Sequence, residues 1–356
     1  MKKILTVVGA RPQFIKMALV SRALKALEVS ETVVNTGQHY DWNLSGIFFR
    51  DLRLPKADYN LNVGSTSPNA QIAQMIDGVG RAIKKESPAI VLVYGDTNST
   101  LAASLAAVKS GVKLAHVEAG LRSFNKSMPE EVNRVLADAS SDIFFCPTKA
   151  AVGNLRREGH DDGIHLVGDV MYDSIKRIYG RKAVSQGRED YILCTIHRAG
   201  NTDDPKNLKN IFSALGSIGR RVIMPIHPRT AKCMRKYKIT AGDNVAIINP
   251  LGYMDMLELE RRAALVVTDS GGVQKEALIF NVPCITLRPE TEWVETVESG
   301  WNRLAGPSSG PICKAIRSAL TSLDIGHKSI DPEKFYGDGY AHKRIAKVLC
   351  DKLRGA

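Results

Sequence analysis

Three carboxylates stand where apolar runs give way to turns. Asp96 closes Val93-Tyr94-Gly95-Asp96-Thr97, and Glu118 follows the next run in His116-Val117-Glu118-Ala119-Gly120-Leu121-Arg122. Glu130 opens a helical pattern in Pro129-Glu130-Glu131-Val132-Asn133-Arg134. Carboxylates gathered at one end of a sheet raise one another's pKa values and so supply both an acid and a base. Each taken alone also suits a helix cap or an ion pair. Two histidines obey the same placement, in Thr195-Ile196-His197-Arg198 and Pro225-Ile226-His227-Pro228. Either can contact phosphate or act as an acid.

Two turns carry phosphate chemistry. In Gly9-Ala10-Arg11-Pro12-Gln13-Phe14-Ile15-Lys16 the glycine permits a sharp turn and Pro12 suits the first helical position. Arg11 then lies at a helix N-terminus, where anions are already favoured. In Thr268-Asp269-Ser270-Gly271-Gly272-Val273-Gln274-Lys275-Glu276 two glycines let backbone N–H groups approach a pyrophosphate. Ser270 adds a hydroxyl there, and Glu276, one turn on, reaches a pair of ribose hydroxyls. Surface ion pairs for Arg11 and Lys16, and an ordinary capped helix at Ser270, are the competing readings. Neither a Walker A loop nor the G-x-G-x-x-G dinucleotide fingerprint is present, and no G-x-S-x-G elbow occurs. No His, Cys, Asp or Glu grouping has metal-ligand spacing, so neither a metal nor a redox cofactor is expected.

These residues need strands behind them. Apolar runs at 4–9, 32–36, 89–94, 114–117 and 142–146 alternate with helical patterns such as 13–27 and 99–109. A second series follows at 191–195, 222–225, 245–248, 265–268 and 284–287. Strands that are apolar throughout are buried on both faces, which requires parallel sheets covered by helices. The pattern predicts an α/β chain of two Rossmann-like, doubly wound domains, 1–168 and 169–340. Its final helix, 341–356, packs back on the first domain. At roughly 150 residues per domain, 356 residues suit two. Ligands bind beyond the carboxyl ends of such strands, which places the residues above around a cleft between the halves.

Composition narrows the class further. Hydrophobic residues make up 44% and charged residues 24%, an ordinary globular balance. The six cysteines are scattered without a C-x-x-C pair, which fits a reducing, cytoplasmic setting. The apolar run after Met1-Lys2-Lys3 is too short for a signal peptide, and nothing approaches ~18 consecutive apolar residues. No membrane association is expected. The net charge of +12 is spread over pairs such as Lys84-Lys85, Arg156-Arg157, Arg220-Arg221 and Arg261-Arg262, without interleaved aromatics. That argues against a nucleic-acid face and for a positive cleft that attracts a small dianion.

In order along essentially the whole chain, Gly9-Ala10-Arg11-Pro12, Tyr94-Gly95-Asp96-Thr97, His116 to Arg122, Pro129 to Arg134, His197-Arg198, Asp269-Ser270-Gly271-Gly272 and Tyr336-Gly337-Asp338-Gly339 resemble the non-hydrolysing UDP-N-acetylglucosamine 2-epimerases. The resemblance implies a glycosyltransferase-B-like architecture, a homodimer, a UDP-sugar as ligand and no cofactor. It implies that Arg11, Lys16, His227, Ser270, Gly271, Gly272 and Glu276 bind UDP, with the Met256 backbone on uracil. Arg134 and His197 join the substrate-binding set. Asp96, Glu118 and Glu130, with His227, are the implied acid/base group. The implied reaction eliminates UDP to give 2-acetamidoglucal and re-adds it with protonation from the other face, feeding surface polysaccharide synthesis.

Three departures stand out. Thr291-Glu292-Trp293-Val294-Glu295 has Trp293 where the family's T-E-R-P-E segment has a substrate-binding arginine. With Gly168-Asp169-Val170-Met171-Tyr172-Asp173, this is similar to the branch acting on UDP-2,3-diacetamido-2,3-dideoxyglucuronate. His197-Arg198-Ala199-Gly200 lacks the glutamate of the H-R-x-E pattern, and Gln38-His39-Tyr40-Asp41 only partly matches the segment of the allosteric site. A hydrolysing relative that releases free N-acetylmannosamine, an inactive sugar-nucleotide sensor and a retaining glycosyltransferase are the other readings.

Overall fold

The computed structural model describes residues 2–38, 57–64, 67–180, 187–324 and 329–355, excluding the side chains of Arg11 and 322–324. The chain divides into two compact units, Met1–Ile178 with Glu333–Ala356, and Tyr179–Pro332. The first holds a seven-stranded sheet of β1 (Lys3–Val8), β2 (Ser30–Asn35), β3 (Tyr59–Asn60), β4 (Ile90–Tyr94), β5 (Lys113–Val117), β6 (Ile143–Cys146) and β7 (Ile164–Leu166). Its order is β3-β2-β1-β4-β5-β6-β7, and every pairing is parallel. The second holds a six-stranded sheet of β8 (Glu189–Thr195), β9 (Val222–Pro225), β10 (Val245–Ile248), β11 (Ala263–Thr268), β12 (Cys284–Thr286) and β13 (Asn302–Leu304). That sheet runs β10-β9-β8-β11-β12-β13, again parallel throughout. Both are doubly wound α/β sheets, as the apolar runs predict.

The strand order reverses between β1 and β4 in one sheet and between β8 and β11 in the other. At these switch points the helices leave to opposite faces and open a crevice at the carboxyl ends. All five residues of β4 are buried because layers cover both faces. One layer packs Val79, Ile83, Ala103 and Ala107 against the strands, and the other packs Phe14, Met17 and Leu24. In the second unit Leu208, Ile211, Phe212, Ile312 and Ile316 close one face.

The first unit extends ten residues past the sequence-based boundary at 168, and it regains the chain at Glu333. The cause is local. Gly168 lies at φ +93°, where a Cβ would stand 2.5 Å from the Tyr336 carbonyl oxygen. The Asp169 N–H donates to that same oxygen at 2.9 Å. Asp173, on the helix Val170–Tyr179, accepts from the His342 N–H at 2.8 Å and from its ring Nδ1 at 2.6 Å. The Tyr336-Gly337-Asp338-Gly339 motif is therefore a docking device, completed by an Arg344–Asp338 ion pair at 2.6 Å. It seats the helix Ala341–Arg354 so that Ala341, Ile345, Ala346, Leu349 and Leu353 join the same core as Met17 and Leu24.

Leu349→Ala, at a fully buried position of this helix, should destabilise the protein by about 2–5 kcal/mol. Urea unfolding followed by circular dichroism measures this.

Candidate active site

One strand beyond the switch point of the first unit, Glu118 follows β5 in the left-handed region at φ +71°. A non-glycine residue held there costs about 1–3 kcal/mol and persists only where its surroundings fix it. They do. The N–H groups of Glu118 and Ala119 donate to the Phe145 carbonyl at 3.1 and 3.3 Å. Gly120, at φ +82°, donates its N–H to Asp138 at 2.9 Å. The turn aims the Glu118 carboxylate at Lys16 Nζ, and the two form a buried ion pair. Gly95 completes the fit, because a Cβ at its φ of +62° would stand 3.3 Å from Glu118 Oε2.

Asp96 is the residue after Gly95, so it shares this sheet end with Glu118. Its carboxylate accepts from Arg134 Nη2 at 2.6 Å, and its carbonyl accepts from Asn133 at 2.9 Å. Arg134 is buried and also contacts Glu131 at 3.1 Å. Both partners of Asp96 come from the helix Pro129–Ala139, whose first turn carries the half-buried Glu130. One helix thus supplies Glu130 and fixes Asp96. A carboxylate in that first turn is favoured by the helix N-terminus.

Residues to which pattern reading gave no role lock the geometry. Gln13, at the third helical position, accepts the N–H groups of Gly9 and Ala10 at 2.8 and 3.0 Å. Its amide donates to the Tyr94 carbonyl at 2.7 Å, so one side chain ties the loop after β1 to the end of β4. The reach back to the cap is the glutamine half of a capping box, which was the available signal. His116, fully buried in β5, bonds Asp138 at 2.7 Å and the Gly95 carbonyl at 2.7 Å. Burial alone would raise the Asp138 pKa, but His116, Arg122 and the Gly120 N–H together hold it below the usual 3.8. Arg122 also grips Glu158 through two hydrogen bonds at 2.7 and 2.6 Å. Glu131, rather than its neighbour Glu130, binds the Ser123 and Phe124 N–H groups at 2.8 and 2.9 Å.

In the second unit the helix Gly271–Ile279 begins at Ser270, whose side chain makes no capping hydrogen bond. Its first N–H groups and that hydroxyl lie together, which suits an anion. The two glycines do different work. A Cβ on Gly271 would stand 2.1 Å from Glu292 Oε1, so that position is closed by the protein itself. Around Gly272 the nearest atom to a Cβ would be Ser270 Oγ at 3.9 Å, so the space before it is open. Asp269 is buried and faces inward, accepting the N–H groups of His197 and Arg198 at 3.0 Å and Asn201 Nδ2 at 3.0 Å. It fixes the loop after β8 without help from a glutamate at position 200, where the glycine has open space.

His197 and His227 face each other with ring centroids 5.5 Å apart. His227 Nδ1 accepts the Arg229 N–H at 3.2 Å, which leaves Nε2 as the proton carrier in the neutral ring. Glu276 is buried and accepts from the Tyr253 hydroxyl at 3.4 Å. Met256 lies inside the helix Tyr253–Arg262, and its N–H is spent on the Gly252 carbonyl at 3.0 Å. Trp293 is buried with Lys275 Nζ 4.1 Å above its ring centroid, so a cation stands beside the position where the arginine is missing. Arg11 begins the helix Arg11–Ala26, but its side chain lies outside the described residues, as do His39, Tyr40 and Asp41. Among the described residues no group of His, Cys, Asp or Glu is arranged to hold a metal.

The family model described as UDP-N-acetylglucosamine 2-epimerase matches residues 22–350. The chain belongs to the UDP-N-acetylglucosamine 2-epimerase family. A Methanococcus maripaludis protein named UDP-N-acetylglucosamine 2-epimerase homolog is 49% identical over 360 residues, covering 98% of this chain and 99% of that protein. The UDP-2,3-diacetamido-2,3-dideoxy-D-glucuronate 2-epimerase of Pseudomonas aeruginosa is 47% identical, covering 98% and 99%. The crystal structure of the Methanocaldococcus jannaschii UDP-GlcNAc 2-epimerase, in complex with UDP-GlcNAc and UDP, superposes with a TM-score of 0.89 at 39% identity, covering 98% of this chain and 99% of that one. Epimerases are isomerases, and the two-sheet fold of this chain is that of the family.

Asp138→Asn removes the counter-charge of the buried Arg122 guanidinium and should cost about 3–5 kcal/mol. Because the carboxyl pKa is lowered in the folded state, its stabilisation is complete above the usual 3.8 and is lost as the pH falls below it. Thermal unfolding between about pH 3 and 7 should show a steeper acid loss in the wild type than in Asp138→Asn.

Proposed function

We propose that this protein is a non-hydrolysing 2-epimerase interconverting UDP-N-acetylglucosamine and UDP-N-acetylmannosamine. The observation that carries the reading is the pair of strand-end carboxylates, Asp96 and Glu118, each held by a buried cation, Arg134 and Lys16. The C2 proton of the sugar is not acidic, because no carbonyl stands beside it. Its removal becomes feasible when the C1–O bond to UDP breaks in the same elimination, leaving 2-acetamidoglucal and UDP. Re-addition of UDP at C1, with proton delivery to the opposite face of C2, gives the epimer. Asp96, Glu118 and Glu130 supply the proton-transfer groups, worth roughly 10²–10⁴-fold each. Ser270, Gly271 and Gly272 hold the diphosphate at their helix N-terminus, Glu276 the ribose, and His197 and His227 the phosphate charge. No metal or redox cofactor enters this scheme.

A second substrate has support of its own. Trp293 and the 47% identity to the Pseudomonas enzyme favour UDP-2,3-diacetamido-2,3-dideoxyglucuronate. We assign the activity to the cytoplasm, where its six unpaired cysteines stay reduced, and to precursor supply for surface polysaccharide. A homodimer is proposed from the helix Pro129–Ala139, which exposes Val132, Val135 and Leu136 on one face.

Incubation with UDP-N-acetylglucosamine in D₂O, followed by NMR, should show exchange of the C2 proton and a UDP-linked manno product. Free N-acetylmannosamine would assign hydrolysis instead, and turnover of the diacetamido-uronate alone would reassign the substrate. Asp96→Asn and Glu118→Gln should each lower exchange by about 10²-fold or more while UDP still binds; near-full activity in either removes that residue from the mechanism. Val135→Asp should shift the protein from dimer to monomer in sedimentation velocity.

A further inference from the structure

Behind Glu276 lies a second carboxyl group that the proposed reaction does not use. Glu260 is fully buried on the helix Tyr253–Arg262, which packs against the helix carrying Glu276. Neither Glu260 oxygen receives a hydrogen bond from a described group, and its neighbour is the buried Glu276 carboxylate. The other titratable groups that sense its charge are Tyr179 and the Cys284 thiol, both neutral at ordinary pH. The nearby cations are placed elsewhere: Arg261 and Arg262 on Glu258, Arg262 also on Glu189, and Lys275 over Trp293. Burial first, and then the Glu276 charge, push Glu260 far above the usual carboxylate range. Two neighbouring buried carboxyls share a proton.

We propose that Glu260 is a positioning residue for the nucleotide: it keeps its proton, donates it to Glu276 and so fixes that carboxylate for the two ribose hydroxyls. It acts beside the Tyr253 hydroxyl, which donates to Glu276 at 3.4 Å. The inference rests on the reading of Glu276 as the ribose contact.

Calorimetric titration with UDP and with 2′-deoxy-UDP, from about pH 6 to about pH 9.5, tests both readings. The wild type should prefer UDP by roughly tenfold, the size of one hydrogen bond to a charged group, and Glu276→Gln should abolish most of that preference. The wild-type preference should fade at the alkaline end, as Glu260 ionises and repels Glu276. Glu260→Gln keeps a donor at every pH, so it should retain the preference and lose its pH dependence. Glu260→Leu has no donor and should lose the preference at every pH, while its affinity for 2′-deoxy-UDP holds. If Glu260→Leu discriminates like the wild type across the range, the positioning role is wrong although the ribose contact stands. If neither the wild type nor Glu276→Gln discriminates, the ribose contact is wrong and the inference falls with it.

Discussion

The buried ion pair between Lys16 and Glu118 is the constraint around which the first unit is arranged. Two charges taken from water must each find the other, and removing either leaves an uncompensated charge that costs several kcal/mol. Bringing them together requires a left-handed glutamate after β5 and a bare glycine after β4. It also requires a lysine two helical turns beyond the loop that follows β1. Each condition recruits support: Phe145 carbonyl for the turn, His116 for Gly95, and Gln13 for the loop that starts the helix. A carboxylate in that setting is held in one orientation before any ligand arrives.

The second unit meets the same need by other means. Asp269 gathers three donors from the loop after β8, as Gln13 bridges the loops after β1 and β4. In both sheets a buried polar side chain at the switch point pins one strand-end loop to another. The groups left outward differ in kind. The first unit presents carboxylates held by cations, and the second presents backbone N–H groups, a hydroxyl and imidazoles. That contrast is the basis of the proposed division between proton transfer and anion binding.

The fold was readable because every central strand is apolar on both faces, a pattern that only a covered parallel sheet satisfies. Asp96, Glu118 and Ser270 were legible because they follow such strands directly. Gln13, His116, Asp138 and Asp269 were not, although all but Asp138 lie within the motifs singled out. Their work is to hydrogen-bond backbone groups distant in sequence, and spacing carries no record of that. The extension of the first compact unit past 168 was not legible for a related reason. Gly168 and Asp169 look like a turn that ends a domain, but Tyr336 and His342, more than 160 residues later, hold that turn and the helix after it in the first unit.

That return of the chain has a consequence for synthesis. Residues 179–332 form an insertion within a discontinuous first unit. A ribosome therefore releases the whole second sheet before the helix that completes the first core has been made. Domains fold as units while the chain emerges, so the later segment reaches its native form first. Until the Ala341–Arg354 helix arrives, Met17 and Leu24 lack the apolar partners they have in the finished protein. The half that carries the carboxylates is the last to become whole, and a nascent chain is most exposed to chaperones and proteases in that interval.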